Sequence, residues 1–384
     1  MKRKTPLAWL QVSRERTRLV IAMAGIAFAD MLMFLQMGFQ DALYDSNTQM
    51  HRSLKADLVL VSPQAQNIVN MSTFPRSRLY QAMNLAGVQS ATPLYTDSAN
   101  WKVPQTRTNS AILVLAFNPD SSVFKLSGVE QNIDRIKLPD TFLFDSSSRG
   151  DYNTTIAQIQ RGESVFTEFS DRKIEIDGLF NVGASFAADG NLITSDLNFF
   201  RIFPQRTAAE VSAGLIALQP GSDPQQVAAI LKTELPNDVK VLTHEEFVET
   251  EKTYWANNTP IGFIFSLGTA IGFVVGVVIV YQILYSDVSD HLAEYATLKA
   301  IGYKDIYLLG VVFQEAIVLA IIGFIPGYMI SIGLYSLTRS ATNLPLFMTL
   351  VRAISVFCLT IVMCLLSGLI AMRKLRAADP ADIF

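Results

Sequence analysis

Hydrophobic and polar positions divide this chain into four long apolar runs and one long mixed stretch. The runs cover residues 19–39, 260–285, 306–337 and 351–372. Each reaches the roughly 20 apolar residues that carry a helix across a hydrocarbon core of about 30 Å. Helices buried in soluble cores seldom run so far without charge, so the pattern predicts four membrane-spanning helices. A polar hook, residues 286–305, separates the second run from the third. Within it Leu292, Tyr295, Leu298 and Ile301 recur every third position and predict a short amphipathic helix. Gly302 follows as a C-terminal stop, and Lys299 sits in the last turn, where the helix dipole favours a cation. On periodicity alone, this segment reads equally well as a loop helix lying in the membrane interface.

The mixed stretch, residues 40–259, reads as a soluble domain entered and left through stalk helices. Residues 40–54 keep helical composition and extend the first span outward. Residues 57–62 and 111–117 read as strands, residues 76–86 as a helix ending at Gly87, and 173–176 as a strand before Asp177-Gly178. Residues 145–155 form the most loop-like segment. The last part is the best patterned: a strand at 214–219, a helix at 224–235 capped by Asp223, and a strand at 239–242. Thr243 with Glu246 three residues on forms a capping box that starts the returning stalk. Trp255 stands where an interfacial aromatic is expected. The fold class is therefore an α-helical membrane protein with four transmembrane helices and a large α+β domain between the first and second spans.

Composition adds limits. Half of the 384 residues are apolar and the net charge is −3, with no basic cluster interleaved with aromatics, which speaks against a nucleic-acid partner. No Gly-x-x-x-x-Gly-Lys-Ser/Thr phosphate loop is present, so nucleotide binding by that device is excluded. His51, His244 and His291 are dispersed and make no metal pattern, and no nucleophile elbow or paired catalytic motif stands out. The expectation is a non-enzyme with no cofactor or metal of its own. Cys358 and Cys364 share the last run at a spacing that places them on different helix faces, a poor disulfide.

Three features of the apolar runs are candidates for more than anchoring. Asp30 lies near the middle of the first and Glu315 about 10 Å into the third. Intramembrane carboxylates face a bundle interior and serve either function or packing. Gly268, Gly272 and Gly276 repeat every fourth residue, a small-residue face suited to close helix packing or a dimer seam. Pro326, flanked by Gly323 and Gly327, predicts a break or kink in the third run. Arg352, at the edge of the fourth, is placed to snorkel.

Charge sets the expected topology. Lys2, Arg3, Lys4, Arg14, Arg16 and Arg18 precede the first run, and Arg373, Lys374 and Arg376 follow the fourth. The hook holds Lys299 and Lys304, and residues 338–350 form a short loop on the opposite side. The positive-inside rule then puts both termini, residues 1–18 and 373–384, and the hook in the cytoplasm. A cleaved signal peptide would have a shorter apolar region, so the first run is expected to stay as a span.

The segment Glu294-Tyr-Ala-Thr-Leu-Lys-Ala-Ile-Gly302 resembles the coupling-helix signature of MacB/FtsX-type ABC transporter permeases. Phe313-Gln-Glu-Ala316 and Gly323-Phe-Ile-Pro-Gly327 resemble the third span of the same family, and among its members DevC-type permeases of heterocyst glycolipid exporters are the nearest in kind. The resemblance implies an FtsX-like permease domain over residues 260–380 and a periplasmic MacB-like core over 40–259, with an inserted lobe at roughly 97–205. It also implies a homodimer, a separate cytoplasmic ABC ATPase dimer that binds ATP and Mg, a periplasmic membrane-fusion adaptor and a TolC-like outer-membrane channel. Leu292, Glu294, Tyr295, Leu298, Lys299, Ile301 and Gly302 would then face the ATPase, and an amphiphile such as a glycolipid would be moved outward. Lipoprotein release and control of a cell-wall hydrolase are the alternatives within the family. A membrane-anchored periplasmic sensor is the alternative outside it, and it leaves the hook and two of the spans unexplained.

Overall fold

The computed structural model describes residues 16–169, 172–342 and 344–377, without the side chains of residues 16, 295, 296, 300, 305 and 373–377. Most of the basic N-terminal segment and the C-terminal residues 378–384 thus lie outside the described residues. The chain separates into two compact units. One comprises residues 1–42, 260–341 and 346–384, and the other residues 43–259 with 342–345.

The first unit is helical. Its members are α1 (Arg16–Ser53), whose last turns belong to the other unit, α8 (Pro260–Asp290), α9 (Leu292–Ala300), α10 (Asp305–Thr342) and α11 (Leu350–Ala377). Four of these, all but α9, are long and apolar enough to cross a membrane. The second span therefore runs further than its uncharged stretch, through Ser286 and Asp287 to Asp290. Pro326 does not break α10, which is helical on both sides of it. The flanking glycines have a different use. A Cβ on Gly327 would lie 2.9 Å from Asp30 Cβ and 3.1 Å from the Ala27 carbonyl oxygen, and one on Gly323 would lie 2.6 Å from Ile26 Cβ. They allow α10 to approach α1 at backbone distance.

The second unit is built on a nine-stranded sheet in the order β11-β1-β10-β3-β4-β8-β5-β7-β6. Its strands are β1 (Leu58–Val61), β3 (Val88–Lys102), β4 (Asn109–Phe117), β5 (Thr141–Asp145), β6 (Val165–Phe169), β7 (Arg172–Phe180), β8 (Gly190–Ser195), β10 (Ala213–Leu218) and β11 (Lys240–Thr243). A separate pair joins β2 (Phe74–Pro75) to β9 (Glu210–Val211). Helices α2 (Ser77–Met83), α3 (Ser127–Gln131), α4 (Asn153–Gln160), α5 (Asp196–Ile202), α6 (Pro224–Glu234) and α7 (His244–Asn257) accompany the sheet. Both sheet faces are buried. Leu58 and Leu60 enter one core with Ile112 and Val114, while Val59 and Val61 enter the other with Leu113 and Leu115. A strand covered on two sides has no polar face, so it reads as an unbroken apolar run rather than an alternation.

Strand β3 spans the sheet's two halves. Val88–Leu94 pairs with β10, and Tyr95–Lys102 pairs with β4. The caps expected from sequence are present: Asp223 accepts from the Gln225 amide at 2.9 Å, and Thr243 and Glu246 close a reciprocal capping box. Asp145 opens no simple loop. Its carboxylate is wholly buried and accepts from the backbone of Ser147, Val182 and Gly183 and from the Asn191 side chain, at 2.8–3.1 Å.

Trp255 packs within the second unit. It is 8 % exposed, donates its indole N–H to Glu251 at 2.8 Å and meets Phe186 edge-on. Glu251 also receives the Ile68 amide at 2.9 Å and lies 3.1 Å from His51 Nε2. His51 and His244, scattered in sequence, come together here, with His244 Nε2 2.9 Å from the His51 carbonyl oxygen. Among the described residues, no three His, Cys, Asp or Glu side chains are grouped to hold a metal ion.

Candidate functional site

The short helix α9 forms because the hook supplies about two and a half turns of helix formers bounded by two signals. Glu294 stands in its first turn and Lys299 in its last, each at the end the macrodipole favours. Its stop is a Schellman motif. Gly302 adopts φ +104°, its amide donates to the Lys299 carbonyl at 3.0 Å, and the Tyr303 amide reaches back to Leu298 at 3.1 Å. Any residue with a Cβ would be strained at that φ.

The face predicted from the three-residue spacing does not survive intact. Leu292 and Leu298 pack inward against Val288, Leu308, Val312 and Met372, whereas Ile301 is 71 % exposed. The reason is geometric: at 3.6 residues per turn, a step of three falls about 60° short of a full turn. Three such steps carry Ile301 to the side opposite Leu292. The backbone of Tyr295 lies in α9, and its side chain lies outside the described residues. Glu294 and Thr297 are exposed and Lys299 is partly covered. The structure thus divides the site into inward anchors, Leu292 and Leu298, and an outward set, Glu294, Thr297 and Ile301.

Gly268, Gly272 and Gly276 face the chain's own helices. A Cβ on Gly272 would lie 3.3 Å from Leu32 Cβ and 3.4 Å from Met33 Cγ, Gly268 faces Gln36, and Gly276 meets Ala29 and Met363. Asp30 is fully buried and accepts from the Thr360 hydroxyl at 2.6 Å, joining α1 to α11. Glu315 is 4 % exposed, so its carboxyl lies inside the helical unit. Arg352 does not snorkel. It is 4 % exposed, donates to Asp41 at 2.6 Å and to the Phe347 carbonyl at 2.8 Å. Cys364 is buried and Cys358 exposed.

Two clusters were invisible to local pattern. Arg18 pairs with Asp290 and Asp287 across more than 260 positions, and Arg352 pairs with Asp41 across 311. Their one sequence signal is an unbalanced acid at the end of an apolar run, which must find a cation somewhere.

Solved structures similar to this chain each cover about half of it. The periplasmic region of MacB from Actinobacillus actinomycetemcomitans matches 52 % of this chain and 94 % of its own, at 11 % identity and a TM-score of 0.34. The extracellular domain of the noncanonic ABC-type transporter YknZ from Gram-positive bacteria matches 49 % and 100 %, at 10 % identity and TM-score 0.33. A domain of a putative permease protein from Porphyromonas gingivalis matches 50 % and 88 %, at 14 % identity and TM-score 0.29. No curated protein matches the sequence. One family is matched over part of the helical unit: residues 263–380, which hold α9 and its anchors, match the FtsX-like permease C-terminal domain.

Proposed function

We propose that this chain is the membrane permease subunit of an ATP-driven exporter of the MacB/FtsX type. The observation that carries the reading is α9. It is a nine-residue helix between two long apolar helices, held by Leu292 and Leu298 and presenting Glu294, Thr297 and Ile301 outward, within the FtsX-like stretch. A separate cytoplasmic ABC ATPase, which binds ATP and Mg, engages that outward set. Its closure displaces α9, the long helices carry the displacement, and the domain of residues 43–259 responds in the periplasm. In this reading both termini are cytoplasmic and the domain lies between the first and second spans. Two copies form the working unit, with a periplasmic adaptor and an outer-membrane channel completing the path. The DevC-like residues favour a lipid or glycolipid cargo, drawn from the outer leaflet rather than through an aqueous pore.

The test is the outward set. Exposed apolar anchors at a docked interface behave as hot spots, where truncation costs about 2 kcal/mol or more, roughly 30-fold in Kd. Ile301→Asp should therefore abolish co-purification of the ATPase and its stimulation while the permease remains inserted. Leu298→Ala should loosen α9 and weaken both effects less. Unaltered ATPase capture by Ile301→Asp would remove α9 as the motor's contact. Failure of any ATPase to co-purify with the wild type would favour the sensor reading.

A further inference from the structure

The last turn of α8 carries Asp287 and Asp290, two acids at the end of a helix where the macrodipole disfavours negative charge, and that turn has no basic residue of its own. The cation comes from the first turn of α1. Arg18 donates to Asp290, and its Nη1 lies 3.7 Å from Asp287 Oδ1. His291 Nδ1 stands 3.6 Å from that same oxygen. One guanidinium therefore gathers two acids of α8, and the gathering point is two residues before α9 begins at Leu292.

Stability alone is a poor account of this cluster. The Arg18–Asp290 pair, 30 % and 53 % exposed, contributes little to folding, and Asp287, 10 % exposed, meets the guanidinium only at 3.7 Å. Direction is what the cluster supplies. Asp287 and Asp290 are spaced i, i+3 and share one face of α8. A planar guanidinium fork that reaches both resists rotation of that turn more than a single point contact does. Arg18 also belongs to α1, the helix by which the chain passes from the helical unit to the sheet-bearing one. Leu292 and Leu298 already tie α9 to α8, α10 and α11 through Val288, Leu308, Val312 and Met372, a cluster with no α1 residue in it.

We infer that Arg18 is a positioning residue that couples the base of α9 to α1, so that displacement of α9 is passed to the helix leading into the sheet-bearing unit. The inference rests on the proposed permease function, and it names the step by which the push leaves the hook. Asp290 and Asp287 pair with Arg18 directly, and His291 stands beside Asp287.

The experiment uses the full-length permease in lipid nanodiscs with the ATPase that co-purifies with it. Arg18→Gln should leave the Kd for the ATPase unchanged, since α9's outward face is untouched, and lower stimulated ATP turnover about five-fold or more, the lower range of energetic coupling between sites. Exchanging the charges, Arg18→Asp with Asp290→Arg, should restore most of the turnover, and Arg18→Lys should restore part. A structural role without coupling would not give this separation of turnover from binding. Unchanged turnover in Arg18→Gln, or no recovery in the exchanged pair with both proteins inserted, overturns the inference. A second arm needs no ATPase: spin labels at Thr17 and Thr297 report the α1–α9 distance in the permease alone. The distribution should broaden in Arg18→Gln and narrow again in the exchanged pair. An unchanged distribution overturns the inference by itself. Should no ATPase bind the wild type, the permease reading falls, and this arm still decides whether Arg18 positions α9. If Arg18→Gln fails to insert, Arg18→Lys carries both readouts.

Discussion

At Asp145 four donors converge on one buried carboxylate: the amides of Ser147, Val182 and Gly183 and the side chain of Asn191. Replacing it by Asn keeps the shape and turns one acceptor into an NH2 facing other N–H groups. Leaving buried donors unpaired beside a lost charge costs about 3 kcal/mol. Asp145→Asn should therefore lower the urea midpoint read from tryptophan fluorescence, because Trp101 stacks on Phe144 at 5.3 Å, one residue away. An unshifted midpoint would make the network ornamental. Residues of this kind were the least legible in the sequence. Asp145 opens a stretch rich in Ser, Arg, Gly and Asn, and composition reads such a stretch as loop. Its partners at 182, 183 and 191 are supplied only by the fold. Thr243 and Glu246, or Asp223, were legible because each cap's partner sits two or three residues away.

Elements were legible in proportion to how local their cause is. The long apolar helices follow from composition over 20 residues or so, and α6 follows from its cap and its apolar spacing. Strand β3 does not, because Pro93, Asp97 and Asn100 argue against a strand. Pairing with β10 and β4 overrides that local preference. The hook helix was found, yet its face was misjudged, since steps of three residues drift around the axis. Gly323 and Gly327, which beside Pro326 predict a kink, serve as a contact surface. That use can be checked. Gly327→Leu pushes a side chain into Ala27 and Asp30 of α1 and should destabilise the detergent-solubilised protein by about 1–3 kcal/mol, as overpacking does. Gly333→Leu, where a Cβ meets nothing within 4 Å, should leave the melting temperature nearly unchanged. Equal effects at the two positions would refute the contact.

For the molecule as a whole, the sequence spoke through charge asymmetry and the order of apolar and mixed stretches. It was silent on which residues join distant helices. The orientation it implies is testable by thiol labelling. Cysteine at exposed Glu234, in α6, should react with a membrane-impermeant reagent added outside spheroplasts, and cysteine at exposed Thr297, in α9, should react only after the membrane is opened. Outside labelling of Thr297→Cys would invert the orientation. The sheet's strand order carries one more consequence, for how the protein is made. Strand β1, at residues 58–61, lies between β10 and β11, which end at residues 218 and 243. As the chain leaves the ribosome, β1 waits with both edges open through the synthesis of some 150 further residues, and pairings so distant in sequence close slowly. Strands β3 to β8 can pair with one another earlier. The β3–β8 part of the sheet is then the natural first folding unit, and the segment around β1 is the one that needs shelter from aggregation until the returning strands arrive.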